Sequence, residues 1–88
     1  MTNEQLVARI QAGENEAENM LKLWKQNKGY IANVARKFSK YAEMEDLEQE
    51  GYIALCNAVQ GYKIDQGMSF INYATFYMRR QFERCGNN

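Results

Sequence analysis

The chain has 88 residues, with 11 basic and 11 acidic side chains that balance to a formal net charge of zero. This length predicts one domain with a modest core and marginal stability. Balanced charge excludes a polycation that would bind nucleic acid over its whole surface. Histidine, the commonest general base in catalysis, is absent, so we expect no enzyme. No apolar run approaches the roughly 20 residues of a membrane span, so we expect no membrane partner.

Two cysteines, Cys56 and Cys85, show no motif spacing. A zinc site needs further ligands, of which the sequence shows no cluster, so we expect no metal and no cofactor. The chain carries no signal peptide, which favours the cytoplasm and reduced thiols.

The charges are segregated along the chain. Residues 22–40 carry only basic charges, residues 43–50 only acidic ones, and Arg79, Arg80 and Arg84 make the end basic again. An acidic patch for protein and a basic patch for nucleic acid fit a bridging adaptor. The alternative is surface charge that keeps a small helical bundle in solution.

The absence of proline and of period-two alternation predicts an all-α fold, a small bundle of four to five helices. We expect helices over residues 3–12, closed by Gly13, over 15–27 and over 30–40. The second and third are separated by a break near residues 27–29, or form one bent helix. Trp24 is expected to pack in the core. The predicted apolar faces consist of Leu6, Val7, Ile10, Ala17, Met20, Leu21, Trp24, Ile31, Val34, Ala35 and Phe38.

A fourth helix is predicted over residues 43–62, where apolar residues recur at helical spacing. Its apolar stripe comprises Leu47, Gly51, Ala54, Leu55, Ala58, Val59 and Tyr62. At about 100° per residue, the opposite arc holds Asp46, Gln49, Glu50, Ile53 and Asn57. An apolar Ile53 ringed by acids and amides suits a partner-binding patch. A solvated face with one stray isoleucine is the alternative.

The connection to the last helix lies between two glycines, Gly61 and Gly67. Gly67 can adopt a positive φ at little cost, and Ser69 stands where an N-cap belongs.

The last helix, predicted over residues 69–85, has an apolar side and an aromatic–cationic side. The first comprises Phe70, Ala74, Tyr77, Met78 and Gln81, with Tyr73 at its border. Off this stripe lie Asn72, Phe76, Arg79, Arg80 and Glu83. Aromatic rings stack on unpaired bases and arginines neutralise phosphate, so this side suits nucleic acid. Packing of Phe76 against another helix of the domain is the alternative.

These two helices together resemble region 2 of the sigma-70 family, the sigma factors of bacterial RNA polymerase. The matching residues are Asp46-Leu47-Glu48-Gln49-Glu50-Gly51, Ala58-Val59, Gly67, and the run from Phe70 to Arg80. The resemblance covers about forty residues and includes the distance between the two motifs. It implies one region 2 domain over residues 1–88, in which residues 1–40 support the other two helices.

The resemblance implies two partners. Core RNA polymerase would bind residues 43–62 through the clamp coiled coil of its large subunit, at Asp46, Gln49 and Glu50, with Ile53 in the same arc. Residues 69–85 would open promoter DNA at the minus-ten element and hold flipped bases of the nontemplate strand. The implied DNA-binding residues are Phe70, Asn72, Tyr73, Phe76, Tyr77, Arg79 and Arg80. An anti-sigma factor is a further partner of such domains.

The chain departs from the family pattern at several positions. Phe76 and Tyr77 replace a tryptophan pair, Asn72 replaces a threonine, and Arg80 replaces a glutamine. Phenylalanine and tyrosine would form a smaller wedge between the DNA strands than two tryptophans, which predicts weaker strand separation. We therefore expect a specialised sigma factor. We also expect an excised domain or a truncated relative, since no second DNA-binding domain follows. A polymerase-binding regulator without promoter-melting activity, and a helical bundle without a nucleic-acid role, are the alternatives.

Overall fold

The computed structural model describes residues 1–86 and confirms an all-α fold. Within this range the chain forms four α-helices and one turn of 3-10 helix, and no strand. The helices are α1 (Asn3–Gln11), α2 (Glu16–Arg36), α3 (Met44–Gly61) and α4 (Phe70–Gly86), and the 3-10 turn spans Ile64–Gln66. None of the four helices has both the length and the apolar character that crossing a membrane requires.

The core lies chiefly between α3 and α4. All seven residues of the predicted α3 stripe are buried. They meet Phe70, Ala74, Met78 and Phe82 of α4, which are fully buried. Phe82 was absent from the predicted stripe, although it continues the spacing of Ala74 and Met78 by one further turn.

Close packing at Gly51 explains why the motif on α3 ends in glycine. A Cβ atom there would stand 2.6 Å from Cγ2 of Ile31 on α2 and 3.4 Å from the ring of Phe82 on α4. Three helices therefore converge at a position that leaves little room for a side chain.

α2 is one helix of 21 residues, so the predicted break near residues 27–29 is absent and the continuous alternative is the correct one. Asn27, a residue that favours turns, is buried within it. Its side chain donates to the carbonyl of Leu23 at 2.8 Å and exchanges hydrogen bonds with the side chain of Asn3 at 2.8 and 3.1 Å. The amide is satisfied, so the helix continues through it.

The predicted apolar face of the first half of α2 was wrong in part. Ala17 is exposed and Leu21 is 51% exposed, whereas Leu23 is fully buried and Asn19 is also buried. The buried face follows Asn19, Leu23 and Asn27 at spacings of four residues. Because Asn19 and Asn27 are polar, a pattern based on hydrophobicity did not reveal this buried face.

Candidate functional site

The acidic arc of α3, defined as Asp46, Gln49, Glu50 and Ile53, faces outward. Asp46 and Gln49 are exposed, and Ile53 is 44% exposed. Glu50 differs from the others because it is half-buried and accepts a hydrogen bond from the side chain of Gln81 on α4. The arc therefore has an apolar centre, free polar groups, and one carboxylate tied to the neighbouring helix.

A groove adjoins the arc where α3 meets α2. Its volume is about 520 Å³, and it is lined by Trp24, Glu45, Glu48, Gln49, Tyr52 and Ile53. The rings of Trp24 and Tyr52 meet edge to face with centroids 5.4 Å apart. Trp24 is partly buried against the core, as predicted, and also forms one wall of this groove. Tyr52 was missed by the sequence analysis, although it directly precedes Ile53.

Within the part of the chain that the structure describes, no basic side chain forms a salt bridge with Asp46 or Glu50. The salt bridge found among residues 1–86 joins Lys22 and Glu18 on α2, at 3.4 Å. Burial, followed by the nearby carboxylates of Glu50 and Asp46, raises the pKa of the Cys85 thiol. The arc thus combines uncompensated negative charge with exposed apolar surface, which suits a cationic protein partner.

The outward side of α4 carries one strongly exposed ring, that of Phe76, which is 61% exposed. Asn72 and Arg79, one turn before and one turn after it, are also exposed. A cavity of about 510 Å³ lies beside this ring, lined by Tyr30, Met68, Asn72, Thr75, Phe76 and Arg79. The hydroxyl groups of Tyr30 and Thr75 share a hydrogen bond of 2.9 Å across it. Sequence reasoning gave no role to Tyr30, since its partner lies 45 residues away.

Tyr73 and Tyr77 lie on a different side of α4. Their hydroxyl groups share a hydrogen bond of 3.0 Å, and both rings are partly buried. This bond, followed by burial, raises the pKa of Tyr73. Gly61 makes room for the pair, because a Cβ atom there would stand 2.7 Å from the hydroxyl of Tyr73. A further cavity on this side is lined by Asn57, Tyr77, Arg80, Gln81 and Arg84.

The structure therefore divides the predicted DNA-binding residues into two strips. One comprises Asn72, Phe76 and Arg79, and the other comprises Tyr73, Tyr77 and Arg80. Phe70 belongs to neither, and the prediction that it contacts DNA is corrected here. Its ring is fully buried, with its centroid 5.3 Å from that of Tyr62, so it offers no surface to a ligand.

The family model and the related proteins that match this chain all point to the same family. The model of sigma-70 region 2 matches residues 23–84, more than half of the chain. The RNA polymerase sigma-C factor of Myxococcus xanthus is 32% identical over 83 residues, which cover 93% of this chain and 28% of that protein. The sigma factor SigA of Listeria monocytogenes is 31% identical over 81 residues, covering 91% of this chain and 21% of that protein.

A cyanobacterial relative, the sigma factor SigA4 of Synechococcus elongatus, is 32% identical over 88 residues, covering 99% of this chain and 27% of that protein. The chain thus spans less than a third of the length of these relatives. No solved structure gives a significant match.

Proposed function

The chain belongs to the sigma-70 family through its region 2, and we propose that it binds core RNA polymerase with α3 and the minus-ten promoter element with α4. The observation that carries this proposal is the pair of unlike surfaces on neighbouring helices. Ile53 is exposed among acids and amides on α3, and Phe76 is exposed beside Arg79 on α4. The side chains of Ile53 and Phe76 both lie outside the buried core.

The α3 surface suits a partner that presents apolar side chains and positive charge. Ile53 and the rings of Trp24 and Tyr52 provide apolar area that a docked helix would remove from water. Glu45, Glu48 and Asp46 surround this area and would orient a cationic partner. The clamp coiled coil of core polymerase is the partner that we propose for this surface.

The α4 surface suits unpaired bases. Stacking of one base on an aromatic side chain contributes roughly 1–3 kcal/mol, which compensates for stacking lost when a duplex opens. Phe76 can accept a base without rearrangement because its ring is already exposed. Tyr73 is half-buried and hydrogen-bonded to Tyr77, so it presents less of its ring to a base than Phe76 does. Arg79 stands close enough in sequence to Phe76 to contact the adjoining phosphate.

The pair Phe76 and Tyr77 is split between the two strips, and this bears on strand separation. The ring of Phe76 is exposed, whereas the ring of Tyr77 packs against that of Tyr73 with centroids 5.3 Å apart. A single exposed ring makes a smaller wedge than two adjacent ones. We therefore propose a specialised sigma factor that opens DNA less readily than a factor with two large exposed rings, rather than one of general use.

The test separates the two surfaces. The full chain is combined with core polymerase, and its affinities for polymerase and for a fluorescent minus-ten nontemplate oligonucleotide are measured separately. Phe76→Ala should lower oligonucleotide affinity about tenfold, from the loss of one stacked base, and should leave polymerase affinity unchanged. Gln49→Lys and Ile53→Ala should lower polymerase affinity. Gln49 is preferred to Glu50 because a change at Glu50 also breaks its bond to Gln81.

Matched controls come from exposed side chains elsewhere. Tyr41→Ala and Ile64→Ala remove an exposed aromatic and an exposed apolar residue outside both surfaces, and neither should change either affinity. If variants of α3 and α4 reduced both affinities equally, the proposed division between the helices would be wrong. If Phe76→Ala left oligonucleotide affinity unchanged, the proposed role of Phe76 would be wrong. If the chain bound polymerase and the complex did not bind the oligonucleotide, the chain would instead be a polymerase-binding regulator.

A further inference from the structure

Two side chains of α1 bind the two ends of the connection between α3 and α4. The side-chain amide of Gln11 donates to the carbonyl oxygens of Val59 and Tyr62, both at 2.8 Å. The carboxylate of Glu4 accepts a hydrogen bond of 2.7 Å from the backbone N–H of Phe70. α1 thus bridges the end of one helix and the start of the next.

Each of these bonds gives a hydrogen-bond partner to a backbone group at a helix terminus. The last carbonyl groups of α3 and the first N–H groups of α4 have no partner within their own helices. A carboxylate at the N-terminus of α4 also interacts favourably with the helix dipole. Glu4 and Gln11 are seven residues apart, which places them on one side of α1 two turns from each other. A single short helix can therefore reach both termini at once.

The connection, residues 62–69, is also held in place by contacts that its own residues make. The hydroxyl of Tyr62 donates to the carbonyl of Met68 at 2.7 Å, and its ring meets that of Phe70 edge to face. Gly67 adopts a φ of +71°, as its position in the sequence predicted. Ser69 accepts a long hydrogen bond of 3.4 Å from Asn72, so Glu4 provides the shorter of these two contacts at the start of α4.

We propose that Glu4 and Gln11 are positioning residues that hold the first turns of α4 in the orientation needed to bind unpaired bases. This inference rests on the function proposed above. Asn72, Tyr73 and Phe76 follow the capped N–H of Phe70 within two turns of helix, so a change in the direction of that end moves all three. Ala74, Met78 and Phe82 hold the later turns of α4 in the core, whereas Glu4 and Gln11 act on its first turn and on the connection before it.

The role differs from that of the rest of α1, which contributes to stability. Leu6 and Val7 are buried in the core, and Thr2 and Gln5 form a reciprocal capping box at the start of the helix. Glu4 is half-buried and Gln11 is exposed. Substitutions at these two positions should loosen the connection while α1 remains packed.

The experiment uses the full chain in complex with core polymerase. Glu4→Ala and Gln11→Ala remove the two bridges, while Glu4→Gln keeps an oxygen acceptor for Phe70 but loses the charge. Glu14→Ala and Gln60→Ala serve as matched controls because both residues are exposed and lie outside the connection. Three quantities are measured for each variant: affinity for the nontemplate oligonucleotide, affinity for polymerase, and amide hydrogen exchange over residues 62–72.

The alanine variants should lower oligonucleotide affinity about threefold to tenfold and speed amide exchange over residues 62–72 about tenfold. The reason is that Glu4→Ala removes a hydrogen bond to a carboxylate and Gln11→Ala removes two hydrogen bonds. Polymerase affinity should not change, and Glu4→Gln should give intermediate values. These three results together support the inference, because a loss of overall stability would reduce both affinities.

Two outcomes would overturn the inference. One is oligonucleotide affinity equal to that of the parent chain, and the other is an equal fall in both affinities. Failure of the parent chain itself to bind the oligonucleotide would instead show that the proposed function is wrong, and the inference would fall with it.

Discussion

The side chain of Gln81 donates a hydrogen bond to the carboxylate of Glu50, and this bond joins the two helices that carry the proposed interfaces. It also explains why Glu50 is less exposed than Asp46 and Gln49. A partner that binds Glu50 must therefore compete with α4 for the same carboxylate.

Loss of this bond should destabilise the domain. Gln81→Ala should lower the free energy of unfolding by about 1 kcal/mol, a typical value for a partly buried hydrogen bond. Gln81→Glu should lower it further at pH 7, because two carboxylates then face each other. Urea unfolding of both variants and of the parent chain measures this, and a Gln81→Glu variant as stable as the parent chain would contradict it.

Two glycines in helices should respond in opposite ways to alanine. Gly51→Ala should lower the free energy of unfolding by about 1–3 kcal/mol, because the new methyl group overlaps Ile31 and crowds Phe82. Gly29→Ala on α2 is the matched control, since a Cβ atom added there would meet no atom within 4 Å. It should raise stability by about 0.5–1 kcal/mol through helix propensity alone. Thermal unfolding of both variants tests the pair, and a stabilised Gly51→Ala would contradict the packing described.

Sequence periodicity predicted α3 well because that helix buries a single face. Its seven apolar positions point in a single direction, and both the buried stripe and the exposed Ile53 follow from the spacing. The outward position of Phe76 followed in the same way on α4. Sequence reasoning placed these surfaces correctly wherever a residue's environment depends on its own helix.

The errors arise where a residue depends on distant parts of the chain. Periodicity placed Phe70 on the apolar side of α4, where its ring packs against Tyr62, and the family resemblance alone assigned it to DNA. Asn27 suggests a break, yet its partner Asn3 lies 24 residues away and satisfies it. The aromatic run on α4 likewise gave no sign that Phe76 and Thr75 line a cavity with Tyr30 of α2. Such pairs form only when helices pack, so local pattern does not reveal them.

The amide pair Asn3 and Asn27 should be a strong coupling between α1 and α2. Each side chain donates to the other, and Asn27 is buried. Asn27→Ala should lower the free energy of unfolding by about 1–3 kcal/mol, because buried polar groups lose their partners. Asn3→Ala should do the same, and the double variant should cost less than the sum of the two. Urea unfolding of all four chains measures this coupling energy, and strict additivity would show that the pair contributes nothing as a pair.

Alkaline pH should destabilise the domain through its buried tyrosines. Burial, together with the charge of Glu4, raises the pKa of Tyr62, and the bond to Tyr77 raises the pKa of Tyr73. The folded chain therefore holds these phenolic protons more tightly than the unfolded chain, whose tyrosines titrate near their ordinary pKa of about 10. The free energy of unfolding should not change with pH through these groups below that value, and should fall as pH rises above it.

Tyr62→Phe and Tyr73→Phe should each make that fall less steep, because each removes one proton that the folded state retains. The measurement is urea unfolding between pH 8 and roughly pH 11, with tyrosinate absorbance followed in the folded chain and in the urea-unfolded chain as the reference. Tyr62→Phe also loses the bond to Met68, so its stability should already be lower at pH 8 by about 1 kcal/mol. Tyrosinate absorbance that rose at the same pH in the folded and unfolded chains would contradict the burial of both hydroxyl groups.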